Sequence, residues 1–306
     1  MKYLRYVTFI LSVLVISSLN SWLLAGSRVP PMTPSADGLI WGGCGITKKA
    51  FMAELAKSYT QQTGIKIDLQ GGGATHGIRG VAKAKLNIGA ACRPKMEFYA
   101  GERYVKQTPI AWDAIVFIVN KKNPLNDITL QQIRDIYNGK IKNWKQIGGN
   151  DASIDVYVRK GKISGVGLTL RELVFHDSEK EFYPGVKVVK SSGPAEKAVV
   201  RSKTALTATG ISSAKRRDVK ILRVAGKEPS LENIKSGQYI LYRPLYLVTH
   251  IQERNPMVLD FLNFAQSERG KNIIRSAGTI PFTDAIHLLG RQYRQNLEAY
   301  RTSLNK

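Results

Sequence analysis

The sequence predicts an α/β protein on two observations. Short alternating or continuously apolar runs give way to stretches of helical periodicity from Leu39 to Gly278, and in the first third each strand runs out into a glycine-rich loop. Behind the Pro-rich segment Val29-Pro30-Pro31-Met32-Thr33-Pro34, Leu39-Ile40-Trp41 reads as a strand, and Ala50, Met52, Ala53, Leu55, Ala56 and Tyr59 then recur at helical spacing. Ile65 to Leu69 alternates as a strand and enters Gly71-Gly72-Gly73-Ala74-Thr75-His76-Gly77-Ile78, where a new helix begins; Leu86 to Ala91 is the next strand. Further strands are expected at Ala114–Val119, Ile154–Val158, Val186–Val189, Ala205–Ile211 and Tyr246–Thr249. Helices are expected at Leu130–Tyr137, Leu168–Phe175 and Met257–Ala265, with another before Gly278 and a charged amphipathic tail over residues 285–306 packed on the surface.

A chain of 306 residues, 43% hydrophobic, can bury a sizeable core, which argues against disorder. Its start, Met1-Lys2-Tyr3-Leu4-Arg5, is basic, and an apolar run from Val7 to Ile16 precedes a mixed segment from Ser17 to Gly26. That is the layout of a secretory signal over residues 1–25, with residues 26–38 as linker and a periplasmic destination. The alternative is an uncleaved anchor extended by Trp22-Leu23-Leu24-Ala25; no cysteine follows Gly26 to indicate a lipoprotein.

The balance of 46 Lys+Arg against 23 Asp+Glu, a net charge of +23, favours anionic partners. Three readings compete: a nucleic-acid binder, an adhesin for an anionic surface, and a protein whose field attracts a small anion. The basic residues are dispersed and no nucleic-acid-binding signature appears, so no nucleic-acid partner is expected. With only Cys44 and Cys92, neither a cysteine zinc site nor a multi-bridge scaffold can form, while export allows one disulfide. His76, His176, His250 and His287 lack metal-ligand spacing, so no metal or cofactor is expected, though His76 stands in a glycine-rich loop where it could add a donor to an anion. No nucleophile elbow, Ser/His/Asp set or carboxylate pair points to an enzyme.

Four loops carry the chemistry: Gly42-Gly43-Cys44-Gly45-Ile46-Thr47, Gly71-Gly72-Gly73-Ala74-Thr75, Ala90-Ala91-Cys92-Arg93 and the run from Arg159 to Gly167. Each joins glycine, which permits close backbone approach, to a hydroxyl, thiol or guanidinium donor, and three of the four lead directly into an expected helix. Ligands of open α/β sheets sit at such strand ends, where helix N-termini present unpaired N–H groups and positive partial charge. An anion suits that geometry.

From Gly42 to Pro281 the order and spacing of the segments resemble the phosphate-binding proteins of bacterial ABC transporters. The resemblance is clearest in Gln70-Gly71-Gly72-Gly73, in Gln107 to Asp113, in Ile128 to Tyr137 with Gly139 to Trp144, and in Tyr242 to Thr249. It implies a two-lobed periplasmic-binding-protein fold of type II, with residues 39–112 and 245–284 as the first lobe and 113–244 as the second, and Trp112-Asp113 marking the crossover. It also implies a monomer that captures phosphate, or a related tetrahedral oxyanion, between the lobes and delivers it to an inner-membrane permease. A sensor or surface protein using the same fold without transport is the alternative.

The resemblance further implies a ligand set of Gly45, Ile46 and Thr47 from the first loop, Gly73, Ala74 and Thr75 from the second, and Cys92 and Arg93 from the third. Arg159 would be the ion-pair partner and Ser164, Gly165 and Val166 the helix-start cradle. Four residues rather than three separate Arg159 from Ser164, so Lys160 competes with Arg159 for the inward position. Val166 stands where the family has a hydroxyl and Cys92 where it has Asp or Ser, which puts discrimination against sulfate in doubt. Cys44 and Cys92 would fall on neighbouring loops, as a disulfide, as a redox-sensitive or soft-ion-binding thiol pair, or as two unrelated core cysteines.

Overall fold

A computed structural model of the chain describes residues 30–33 and 38–304. The expected signal segment, residues 1–25, lies outside the described residues, as does much of the linker. β1 (Gly38–Gly43) leads into α1, a continuous helix of three segments: Gly45–Thr47, the π-helical Lys48–Met52 and Ala53–Thr63. β2 (Lys66–Gly72) turns into α2 (Ala74–Ala82) through Gly73, whose φ of 88° and ψ of 174° an L side chain would resist. Then follow β3 (Ile88–Ala91) and β4 (Val105–Val119). α2 lies directly on β3, because Gly77 and Gly89 face each other with no room for a side-chain carbon.

The middle of the chain comprises β5 (Asp127–Ile128), α3 (Leu130–Tyr137), β6 (Asp155–Arg159) and α4, which runs through Gly165–Leu170 and continues as the π-helical Arg171–Phe175. β7 (Lys187–Val189), α5 (Ser192–Arg201), β8 (Ala205–Gly210) and α6 (Ile211–Ala214) complete a second parallel unit. The short β9 (Lys220–Ile221), β10 (Arg223–Val224) and α7 (Leu231–Lys235) lead to β11 (Tyr242–His250). α8 (Pro256–Gln266), α9 (Glu268–Ser276), β12 (Ile280–Pro281) and α10 (Leu288–Leu304) follow.

The strand order β2-β1-β3-β11-β4-β8-β6-β7 joins two parallel halves, β1 with β2 and β3, and β6 with β7 and β8, through two antiparallel crossing strands. β4 pairs with β11 from Val105 to Ala114 and with β8 from Ile115 to Val119, so one strand serves both halves. Its register against β11 slips between Leu245, which faces Ala111, and Tyr246, which faces Pro109, leaving Ile110 as the extra residue of a bulge next to a proline that has no N–H to donate. α2 packs on β1 and β3, and α5 on β6 and β8. This is the two-lobed α/β arrangement the sequence suggests.

Asp113 and Arg243 stand opposite each other at the crossover and form a buried ion pair of 3.2 Å. Asp113 also accepts from Ser212 N and Oγ, and Arg243 Nη1 donates to Cys92 O and Gly165 O. The pair therefore ties both crossing strands to loops of both halves. Beside it, Trp112 stacks on Phe282 and donates its indole N–H to the Phe282 carbonyl at 3.0 Å.

Several expectations need correction. β4 begins nine residues before Ala114 and β11 four before Tyr246, because the crossing strands carry polar and proline residues that hide their pattern. α4 starts at Gly165 rather than Leu168, Ile211 opens a helix instead of closing a strand, and α5 has no counterpart in the expected elements. The tail is helical as expected, and it is more than a surface attachment: Leu288 and Ala299 are buried, and Arg291 donates to Gly237 O at 3.0 Å.

Candidate functional site

Four helices begin around one cavity of about 650 Å3 between the two halves. They are α1 after Cys44, α2 after Gly73, α4 after Ser164 and α5 after Ser191, and none of these preceding side chains hydrogen-bonds the helix it introduces. The first turn of a helix leaves its N–H groups without intrahelical acceptors and carries the positive end of the helix dipole. Gly45 and Ile46, Ala74 and Thr75, Gly165 and Val166, and Ser192 and Gly193 all line the cavity, so donors and partial positive charge converge on it from both halves. A second groove of about 760 Å3 lies along α1, α9 and Arg216, but no glycine-rich loop faces it and the start of α9 is capped by Ser267.

Arg159, the last residue of β6, supplies the full charge. Its Nη1 donates to Ser192 Oγ at 3.1 Å, and its buried Nε has no hydrogen-bond partner among the described residues. Lys160 also lines the cavity but is exposed, so of the two candidates Arg159 is the desolvated one. Burial lowers the guanidinium pKa from its usual value, opposed by the thiols Cys44 and Cys92 and by Glu196. A planar cation with an unused donor beside four helix starts is suited to holding two oxygens of one anion.

Lys49 reaches from α1 to the second half, donating to Ser213 Oγ at 2.6 Å and pairing with Glu196 at 3.4 Å. Glu196 is buried, which pushes its carboxyl up, but hydrogen bonds from Ser213, Thr209 and Arg217 and the charge of Lys49 outweigh burial and hold it below the usual range. Two further contacts cross the cleft: Thr75 Oγ1 donates to Ile163 O at 3.4 Å and Arg93 Nε to the same carbonyl at 2.8 Å.

Of the residues singled out from the sequence, Gly45, Ile46, Gly73, Ala74, Thr75, Cys92, Arg159, Ser164, Gly165 and Val166 line this cavity. Two side chains turn elsewhere. Thr47 is fully buried and spends its hydroxyl on Cys44 O at 2.6 Å, leaving its backbone N–H as what it can offer a ligand. Arg93 is fully buried too and grips Glu102 with two bonds of 2.8 Å, because that carboxylate is the buried charge nearest to it. His76 is exposed and lies over Gly72, outside the cavity lining. Lys190, Ser191, Ser192 and Gly193, with Lys49, Glu196 and Ser213, were not anticipated. Ser191-Ser192-Gly193-Pro194, the N-cap position and first residues of α5, was the available signal, a helix start following an expected strand.

Cys44 and Cys92 meet at the cavity wall as free thiols with sulfurs 2.8 Å apart, a hydrogen-bond contact and no covalent bond. The two cysteines are thus neighbours, which sets aside the alternative of two unrelated core residues. The hydrogen bond from Cys44 draws the Cys92 thiol down to about 7; burial opposes this, Arg243 and Arg159 assist it and Asp113 resists it. The same hydrogen bond, then burial, pushes Cys44 well above the ordinary thiol value. Among the described residues no cluster of His, Cys, Asp and Glu could hold a metal ion, and no helix is long and apolar enough to cross a membrane.

The description "PBP superfamily domain" matches residues 33–269. The chain is 29% identical over 252 residues to Phosphate-binding protein PstS of Borreliella burgdorferi, covering 77% of this chain and 87% of that one. It is 25% identical over 261 residues to the Bacillus subtilis protein of the same name, covering 82% of each. A crystal structure from Clostridium perfringens, described as a phosphate ABC transporter substrate-binding protein with bound phosphate, superposes with a TM-score of 0.73 at 29% identity, over 80% of this chain and 99% of the other. An ABC-type phosphate transport receptor from Vibrio cholerae gives 0.62 at 28% identity, again over 80% and 99%. A match that spans both parallel halves and the crossing strands between them covers everything that builds the cleft, and the chain belongs to the PBP superfamily.

Proposed function

We propose that the protein is an exported binding protein that captures phosphate in the cleft and hands it to an ABC permease, without turnover. One observation carries the reading: among the described residues, four helices open on one cavity without a side-chain cap at their N-cap positions, beside an arginine whose buried Nε has no hydrogen-bond partner. Such an array is complementary to a compact ion with oxygens in several directions, and the relatives from Borreliella burgdorferi, Bacillus subtilis and Clostridium perfringens are named for phosphate. In this reading the N–H groups of Gly45, Ile46, Thr47, Ala74, Thr75, Gly165 and Val166 hold oxygens, joined by Ser192 and Gly193, and Arg159 supplies the charge. The lobes divide at residues 112/113 and 244/245 and close on the ligand by bending at the crossing strands, as monomers. Delivery into the cell follows from the relatives' names and from the signal-like start.

Calorimetric titration of signal-free protein with phosphate and, in parallel, sulfate tests this at moderate salt, which suppresses loose attraction to a surface of net charge +23. One-to-one phosphate binding in the micromolar range or tighter is expected. Absence of binding for both ions would overturn the reading.

A further inference from the structure

The two sulfurs are placed for more than packing. Cys44 lies between β1 and α1 and Cys92 follows β3, at the ends of neighbouring strands of one sheet, which brings the sulfurs to 2.8 Å. Cys92 is fully buried and Cys44 only 6% exposed, and both line the cleft, so the cleft is the route by which a reagent reaches them. Cys92 Sγ also lies against the start of α4, where a Cβ on Gly165 would collide with it, so the sulfur of one half touches the anion-facing helix of the other.

We propose that Cys44 and Cys92 are a thiol–disulfide modification site in the floor of the cleft, oxidised by exchange with a low-molecular-weight disulfide, and that oxidation and oxyanion occupancy control each other. The second clause rests on the oxyanion reading above. Cys92 is the attacking group. The neighbouring Cys44 thiol lies within hydrogen-bond reach of it, Arg243 on β11 and Arg159 on β6 favour its thiolate, and burial and the charge of Asp113 on β4 oppose it. The Cys92 thiolate attacks one sulfur of the reagent RSSR, forming a mixed disulfide and releasing RS−, which takes the proton from Cys44. The Cys44 thiolate then attacks Cys92 Sγ, breaking the mixed disulfide and releasing a second RS−, protonated by solvent. The monoanionic pair, one RSSR and one proton thus become one intramolecular disulfide and two RSH.

The linkage has a sign. The reduced pair holds one negative charge at the cavity wall above the Cys92 pKa, and that charge opposes a bound dianion; the disulfide holds none. A bound anion in turn closes the approach to the sulfurs, and coupling of this kind is reciprocal.

The test uses fully reduced protein and oxidised glutathione at about pH 7.5, with and without saturating phosphate, followed by intact mass after alkylation and by phosphate titration of both redox forms. Expected are loss of two hydrogens, at least about tenfold slower in phosphate, and about tenfold tighter phosphate binding by the oxidised form, a ratio that shrinks below about pH 6 as Cys92 protonates. Cys44→Ser should accumulate the Cys92–glutathione adduct, whereas Cys92→Ser should form no adduct at a comparable rate. A dithiol that stays unmodified, or oxidation equally fast with and without phosphate, would overturn the proposal. If neither redox form binds phosphate, the phosphate reading and the linkage fall together, and the mass change alone then decides whether the pair is a modification site.

Discussion

The helix starts at the cleft differ in chemistry from those elsewhere in the molecule. Away from the cavity, α3 is capped by Thr129 in a box with Gln132, α7 by Ser230, α8 by Asn255 and α9 by Ser267. At the cavity, Cys44, Gly73, Ser164 and Ser191 occupy the same position and cap nothing; Ser164 even turns its hydroxyl back to Gly161 O. A side-chain cap contributes about 1 kcal/mol. Leaving it out at four places surrounding one cavity trades local stability for donors that an incoming anion can satisfy.

Two arginines repeat the contrast. Arg93 is closed in a buried fork with Glu102, whose second neighbour is Arg79 at 3.1 Å, whereas Arg159 keeps a buried Nε with no partner among the described residues. The first holds the third loop in place and the second is available to a ligand.

The largest effect should come from breaking the satisfied side of that contrast. Glu102→Gln leaves two arginines without their carboxylate and should cost about 3 kcal/mol, seen as a fall of roughly 6–10 °C in thermal unfolding. Burial pushes the Glu102 carboxyl up, but Arg93, the Met96 N–H and Arg79 outweigh it and hold it below the usual range. Its contribution is therefore complete above the ordinary carboxylate pKa and is lost as pH falls through the lowered folded value. Melting from about pH 7 to about pH 3 should show a decline that Glu102→Gln lacks.

On the open side, Arg159→Ala should weaken phosphate about a hundredfold by calorimetry while moving the melting temperature little, since among the described residues its side chain hydrogen-bonds only Ser192 Oγ. Equal loss of stability and affinity would mean that Arg159 is structural. Gly165→Ala places a carbon against Cys92 Sγ and Ala74, displacing the start of α4, and should weaken binding about tenfold or more. Gly45→Ala, with nothing within 4 Å of its added carbon, is the matched control and should stay within about threefold. The smallest and most discriminating pair concerns the caps themselves. Thr129→Ala should cost about 1 kcal/mol of stability with unchanged affinity, and Ser191→Ala should leave stability within about 0.5 kcal/mol. A stability loss for Ser191→Ala like that of Thr129→Ala would erase the distinction between the two kinds of helix start.

Much of this arrangement was legible beforehand where local chemistry is strong. α3 is legible from its apolar periodicity, and β1, β2, α2 and β3 from apolar runs punctuated by glycine; the Thr129–Gln132 capping box that starts α3 is seen only in the structure. α5 was missed because Ala195, Glu196 and Val199 give it a buried face that mixes charge with small residues. The long crossing strands were shortened because Pro109, Asp113, Arg243 and Pro244 interrupt them, and the reasons for tolerating those residues, a bulge and a mutual ion pair, exist only when the strands are paired.

The sequence alone determined an α/β chain with glycine-rich strand ends, a strongly basic balance and a set of anion-suited loops, since composition, periodicity and backbone freedom are properties of short segments. Tertiary structure decided which donors remain open. Thr47 and Arg93 have the right chemistry but are consumed by a carbonyl and a carboxylate brought to them by packing, while Ser192, Gly193 and Lys49 enter the cavity from segments far apart in the chain. Whether a buried polar group is spent or free depends on every neighbour within hydrogen-bond reach, and those neighbours are assembled only by the fold.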